Sequence, residues 1–408
     1  MLHKPNNIRF IGLGAITSLF AAATVAGFKA MEAPDSVPPV DAIETESPGG
    51  GEWPFVSIIV PARNEERNLP RLLPSLLSQK YPAYEVIVVD DKSEDETPDI
   101  LGEWVARDER LKIVNGVELP REEGWLGKPH AMHQGAQQAK GDWLLFTDAD
   151  TVHSPLSISS SVAHALSHDA DLFTIFPFYE LGTPSERMIM PVAFQGIMNL
   201  YPAYKVNDPR SPAAIANGQY LLIRRSVYDA VGGIESVKGR IVEDQEFAKV
   251  VKSAGHRLLI ADGQHLMNVR MYTNFQEVWE GWSKNVVISL QSNPSQAALA
   301  VVGVLSLTIA PIGMVSWARR SWAMANKSKS ASDRAAAIWT TTLTAWQIGL
   351  PLIMRRDLDR KLGLPPIWTL TQPIGTAIMG AIMLWSLLRL LTGKGVTWKG
   401  RTYAANDV

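Results

Sequence analysis

Between residues 55 and 282, short continuous apolar runs alternate with segments of helical spacing. Residues 56–62 read VSIIVPA and 85–91 read EVIVVDD, while LKIVNG (111–116) and DWLLFTDAD (142–150) repeat the type. Such near-continuous apolar runs predict strands buried on both faces, as in a parallel sheet. Between them, Leu69, Leu72, Leu73, Leu76 and Leu77 fall on one helical face, and Ile100, Leu101 and Trp104 begin another helix. This order predicts an α/β domain whose mostly parallel sheet is covered by helices. Ligands of such sheets bind beyond the carboxyl ends of the strands. The chain places acids there: Asp90 and Asp91 after the second strand, Asp148 and Asp150 after the fourth.

Outside this region the pattern changes. Ile11–Phe28 carries no charge and is flanked by Lys4, Arg9 and Lys29. That length can span a bilayer and exceeds the usual apolar core of a cleaved leader, so residues 1–30 are predicted to be an anchor. Residues 31–53, with Pro, Gly, Ser and acids, read as a linker, and 54–284 as the α/β domain. In residues 285–391 three stretches lack charge, Asn285–Ala318, Ala335–Met354 and Leu362–Leu388. They predict three further membrane segments, because soluble helices of this length show a polar face. Residues 392–408 form a basic tail. Lys and Arg cluster in 319–334, 355–361 and 389–401, which cannot all face one side if every run crosses. One run is therefore expected not to cross. The chain reads as a multi-pass cell-membrane protein with its α/β domain toward the cytoplasm.

Charge sharpens the division. The 408 residues carry 39 Lys plus Arg against 41 Asp plus Glu, a net −2. From residue 285 onward there are 13 basic and 4 acidic residues, +9, and before it 26 and 37, −11. The basic part suits anionic headgroups of a bilayer. The acidic body argues against nucleic acid as a partner, since phosphate contacts need clustered cations. With no cysteine, disulfides, thiolate catalysis and Cys-based zinc sites are excluded. No G-x-G-x-x-G follows the first strand and no G-x-x-x-x-G-K-[ST] occurs, so dinucleotide and P-loop readings fall together.

Asp148 and Asp150 suit a hard cation, Mg²⁺ or Mn²⁺, which takes oxygen ligands and bridges to substrate phosphates. Helix capping is the competing role for any one of these acids. His130 and His133 lack a third partner with ligand spacing and read as local packing or polar lining. Arg224 and Arg225 could face either phosphate or solvent.

Several ordered blocks then carry a resemblance: VSIIVPARNEERNL, YEVIVVDDKSEDET, GWLGKPHAMHQGAQQAKGDWLLFTDADT, NGQYLLIRRSVYDAVGG, IVEDQEFAKVVKSAGHRL, MYTNFQEVWEGWSKN and GVTWKGRTY. The chain resembles glycosyltransferase family 2, in a membrane-anchored subgroup similar to bacterial enzymes that glycosylate carotenoid or hopanoid-type lipids. The resemblance implies a GT-A fold, with N-terminal and C-terminal transmembrane helices. It implies that Pro61, Arg63 and Glu65 shape a nucleotide pocket, that Asp91 meets the uracil of a UDP-sugar, and that Lys128 lies near the donor diphosphate. A lysine there also makes physical sense as a compact cation. Asp148 and Asp150 would correspond to the family's Asp-x-Asp metal element, and Asp244 to the catalytic base. Glu243 beside it would raise its pKa if both point inward. Alternatively the pair serves a helix N-terminus. Asn217, Gly218 and Gln219 are expected to line the acceptor pocket.

One departure bears on the product. Many relatives carry Gln-x-x-Arg-Trp after the base, and no register of 275-FQEVWEGW-282 restores it. That motif accompanies processive synthesis, so its erosion favours transfer of a single sugar. Trp279 and Trp282 would stack at a lipid or sugar site, or simply pack. The implied activity is inverting, metal-dependent transfer of one hexose from a nucleotide sugar, UDP-glucose first, to the hydroxyl of a membrane lipid. A processive polysaccharide synthase and a non-catalytic nucleotide-sugar-binding scaffold are the alternatives.

Overall fold

The apolar runs become strands of one sheet because their consecutive apolar side chains need cover on both faces. In chain order the first elements are β1 (Val56–Ala62), α1 (Leu69–Leu77), β2 (Tyr84–Asp90), α2 (Thr97–Val105) and β3 (Leu111–Asn115). There follow α3 (Gly127–Gln138), β4 (Trp143–Phe146), β5 (Thr151–His153), α4 (Ser157–Ser167), β6 (Leu172–Phe176), β7 (Phe178–Tyr179) and α5 (Pro184–Leu200). Next are α6 (Ala203–Val206), β8 (Leu221–Arg224), α7 (Arg225–Ala230), α8 (Glu243–Ser253), β9 (Leu258–Asp262) and β10 (Met267–Val269). The chain continues with α9 (Phe275–Ser292), α10 (Pro294–Ser328), α11 (Ala331–Lys361), α12 (Gln372–Leu391), β11 (Val396–Trp398) and β12 (Arg401–Tyr403). This computed structural model describes residues 39–43, 51–292, 294–392, 394, 396–398 and 401–403. The expected anchor over 1–30 lies outside the described residues.

Two compact units result, an α/β unit (39–181 and 201–272) and a helical unit (182–200 and 273–403). The sheet order in the first is β3-β2-β1-β4-β8-β6-β9. β1 pairs in parallel with β2 and β4, with Ile59 opposite both Ile87 and Phe146. Only β8 runs against its neighbours, β4 and β6. The parallel block β2-β1-β4 sets its carboxyl ends side by side, which is what brings three separate acidic loops together. Alternation along β1 sends Val56, Ile58 and Val60 into one core and Ile59 into the other. Each such side chain is fully buried, contributing about 1.5–3 kcal/mol. A second sheet, β5-β10-β7, follows the acidic turn after β4.

Buried polar groups in these strands are paired. Glu85, in an otherwise apolar run, accepts Ser57 Oγ at 2.7 Å and the Lys140 N–H at 2.9 Å, and pairs with Lys112. Part of the expected linker is also built into the fold. Val40 is 2% exposed and its N–H donates to Asp262 O at 3.1 Å, and the Ile43 carbonyl accepts Ser159 Oγ at 2.6 Å. Its polar composition reads as linker because the partners that hold it lie more than a hundred residues away.

In the helical unit, one helix among the described residues is long and apolar enough to cross a membrane, Pro366–Leu391. The charge-free run 335–354 forms the middle of α11 without meeting that criterion. It holds four threonines and a glutamine, and absence of charge is not hydrophobicity. Thr340 and Thr344 return their hydroxyls to helix carbonyls at 3.0 and 2.7 Å. Arg355 is fully buried: its Nε donates to Asp359 Oδ1 at 2.6 Å and its Nη1 to Gln372 Oε1 at 3.2 Å, while Thr369 Oγ1 donates to Asp359 Oδ2 at 2.7 Å. Outward, the unit exposes Ile312, Trp322, Trp339, Trp346, Ile367 and Trp385. An apolar exterior rich in Trp suits a bilayer interface. The expected basic tail contains a two-stranded hairpin, with Val396 opposite Tyr403.

Candidate active site

Three loops of the α/β unit converge at the carboxyl ends of β1, β2 and β4. At β1 and β2, the Asp91 N–H donates to Ala62 O at 2.8 Å and Arg63 Nη1 donates to Asp91 O at 2.9 Å. Arg63 also faces Glu94 at 3.6 Å. Glu65 is buried, its N–H held by Thr97 Oγ1 at 2.8 Å and its carboxylate accepting Asn68 Nδ2 at 2.6 Å. Pro61 occupies the penultimate position of β1, opposite Val89. These contacts give the β1 and β2 ends one fixed outline, with the Asp91 side chain 6% exposed as a residue.

The second group is charged. Lys128, at the start of α3, lies 2.8 Å from Asp148 Oδ1 and 2.8 Å from Glu243 Oε1. It thus bridges the turn after β4 to the first residue of α8. Asp244 Oδ2 accepts the Gly218 N–H at 2.9 Å, and its Oδ1 accepts the Gln245 N–H at 2.8 Å. A Cβ at position 218 would stand 2.8 Å from Asp244 Oδ2, so only glycine leaves room for this approach. Asn217 is fixed by Thr174 Oγ1 (3.0 Å, to its N–H) and Ile175 O (3.2 Å, from its Nδ2). Gln219 is buried, and its N–H donates to Asn217 Oδ1 at 3.2 Å.

Burial pushes the Asp244 carboxyl up to about 6; the Glu243 charge adds to the shift, and Lys128 with the two N–H groups opposes it. Burial works against the Lys128 charge, yet Asp148, Glu243 and Asp244 outweigh it and hold the ammonium well above the usual lysine range. Tyr179 in β7 belongs to the same neighbourhood: burial, then the charges of Asp150 and Asp244, push its phenol up. Nothing in FPFYE distinguished this tyrosine in the sequence, because its proximity arises from the small sheet.

Asp148, Asp150, Glu243 and Asp244 make the neighbourhood rich in carboxylates. The donor set is all oxygen, which fits Mg²⁺ or Mn²⁺. Among the described residues no group of three or more His, Asp or Glu forms a self-sufficient metal cage. Asp148 and Asp150 could therefore hold a cation only together with oxygens from a bound phosphate or water, the usual arrangement for Mg²⁺.

Other candidates have structural partners. Arg224 donates to Ala170 O at 3.3 Å and stacks over Trp143, and Arg225 pairs with Asp229 and reaches the Ala139 carbonyl closing α3. His130 and His133 pack on Trp125, with Gln134 and Gln137 as their polar partners. Trp282, expected at the site, belongs to the helical unit. There its indole N–H donates to Met190 Sδ at 3.1 Å and the residue is 8% exposed, a packing role.

The mixed sheet with acids beyond its parallel strands places the chain in the GT-A class of nucleotide-sugar folds. A mannosyltransferase from Pyrobaculum calidifontis, solved with GDP-Man and Mn²⁺, superposes with a TM-score of 0.50 over 90% of this chain and 99% of its own, at 17% identity. Residues 57–232 match the model of Glycosyl transferase family 2, so the chain carries a domain of that family. It is 26% identical over 250 residues to a 4,4'-diaponeurosporenoate glycosyltransferase of Staphylococcus haemolyticus and 28% identical over 265 residues to that of Staphylococcus aureus. These matches cover 60% and 63% of the chain, and the chain spans 65% and 67% of the two relatives' lengths.

Proposed function

We propose that this protein transfers a single hexose from a nucleotide sugar, UDP-glucose first, to a carotenoid-type lipid dissolved in the membrane. The observation that carries this reading is the Lys128–Asp148–Glu243–Asp244 cluster at the strand ends of a glycosyltransferase family 2 domain. Asp244 is suited to be the base: held by two backbone N–H groups and titrating near neutrality, it can take a proton from an acceptor hydroxyl. Such help is worth about 10²–10⁴ in rate. The oxygen then attacks the anomeric carbon from the face opposite the nucleotide, inverting it. Lys128 is suited to the leaving diphosphate, with Arg63, Glu65 and Asp91 on the nucleotide side. A divalent ion at Asp148 and Asp150, when bound, supplies further neutralisation of that diphosphate.

The relatives' names favour a second form of the reaction, because an acceptor ending in -oate is a carboxylate. A carboxylate arrives ionised and needs no base, so Asp244 would then only shape the pocket. Membranes are incubated with UDP-[¹⁴C]glucose and a carotenoid alcohol or acid, and organic-extractable label is followed. Label that survives mild alkali is a glycoside, and label released by it is an ester. Asp244→Asn should abolish glycoside formation; retained turnover to the alcohol removes Asp244 as base. Label confined to an aqueous polymer would overturn single-sugar transfer.

A further inference from the structure

Behind the Asp148–Asp150 turn lies a buried polar cluster with no direct part in the proposed chemistry. Thr147 precedes the turn and Thr151 follows it, and both are at most 1% exposed, as His153 is at 3%. His153 Nε2 lies 3.0 Å from Thr147 Oγ1 and 3.2 Å from Thr151 Oγ1, and its Nδ1 lies 3.2 Å from Ser157 Oγ.

Counting hydrogens fixes the ring. Thr147 Oγ1 donates its one hydrogen to Gln219 O at 2.8 Å, and Thr151 Oγ1 donates its own to Asp148 O at 2.8 Å. Both hydroxyl oxygens can then only accept from the imidazole, so Nε2 carries the hydrogen and Nδ1 is left as an acceptor beside Ser157 Oγ. The ring is neutral, because burial pushes its pKa down to about 3. The Tyr220 hydroxyl closes the cluster, donating to Ser157 O at 3.1 Å. Through Thr151 the ring reaches the turn that carries Asp148. Through Thr147 it reaches Gln219, and with it the 217–219 loop whose Gly218 N–H holds Asp244.

We infer that His153 is a positioning residue for the transfer proposed above, on which the inference rests: its Nε2–H clamps Thr147 and Thr151 and so holds the Asp148–Asp150 turn and the base-holding 217–219 loop in one frame. Outer partners of this kind typically change metal affinity or activity by about 10–100-fold when removed.

In the wild-type chain labelled with ¹⁵N-histidine, the ring signal that His153→Leu removes is expected to be neutral and protonated at Nε2 and not to titrate between about pH 5 and 8, and the Nδ1–H form would overturn the assignment. His153→Leu removes the donor and should weaken Mn²⁺ binding, measured by electron paramagnetic resonance in the presence of UDP, by about tenfold or more, with kcat falling alongside. His153→Gln returns an N–H at similar reach and should recover most of both. Unchanged Mn²⁺–UDP binding in His153→Leu, or no recovery in His153→Gln, would overturn the role. If wild type transfers no sugar while the tautomer and the Mn²⁺–UDP effect hold, the proposed reaction fails and the positioning role stands.

Discussion

Gly218→Ala tests how Asp244 is held. Gly218 does not lie in the left-handed region, so its backbone is open to alanine and only space forbids the change. The new methyl would meet Asp244 Oδ2 at 2.8 Å, Cβ at 3.2 Å and Cγ at 3.3 Å, all inside ordinary carbon contact. The carboxylate must retreat by a few tenths of an ångström or more, stretching the 2.9 Å bond from the Gly218 N–H. A hydrogen bond to a charged group contributes about 1.5–3 kcal/mol. Because that bond favours the ionised form, losing it completely would raise the carboxyl pKa by at most about 1–2 units at 1.36 kcal/mol per unit. Starting from about 6, Asp244 would titrate at about 7–8. At pH 7 the ionised fraction then falls from about nine-tenths to between about one-half and one-tenth. The assay is the pH dependence of kcat/KM for transfer to the carotenoid alcohol, with circular dichroism as the folding control. A folded variant whose acid limb and pH 7 rate match wild type would refute the reasoning.

Three further outcomes are expected. In wild type, kcat/KM for the alcohol rises with pH through about 6, since the base acts only when ionised; the same group lowers stability as pH rises from 3.8 to about 6, because its folded pKa lies above its ordinary value. A flat profile there, by activity and by thermal unfolding, would exclude Asp244 as the titrating group. Lys128→Met removes the cation shared by Asp148 and Glu243 and should raise donor KM about 10–100-fold, the worth of a charged hydrogen bond; it should also move the acid limb upward, since Lys128 opposes the Asp244 shift. Arg355→Met strands the buried Asp359 carboxylate and should destabilise the helical unit by about 3–5 kcal/mol, read as lost protease resistance of residues 273–403 in detergent.

The local alternation determined much by itself. Runs such as residues 58–60 and 86–89 are apolar at consecutive positions, as a strand buried on both faces requires, so the α/β class and the acids at strand ends were legible in the sequence. Asp148 stood out at a strand end, while Lys128, Glu243 and Asp244 were singled out by the ordered blocks that carry the family resemblance. What the sequence could not carry were relations between distant segments. Lys128 touches both Asp148 and Glu243 only because β1 and β4 are neighbours and α8 begins beside them. Likewise Arg224 and Arg225, open in the sequence, are committed to carbonyls and acids at the opposite strand ends, and Trp282 to Met190. The helical unit shows the converse limit: a run without charge marks what can leave water, but the threonines and glutamine of 335–354 are polar without being charged, and among the described residues only Pro366–Leu391 is long and apolar enough to cross. His153 is the sharpest case. Its residue type said nothing, and its role follows from two threonine hydrogens already committed to the carbonyls of Gln219 and Asp148, a constraint that exists only once the loops have met.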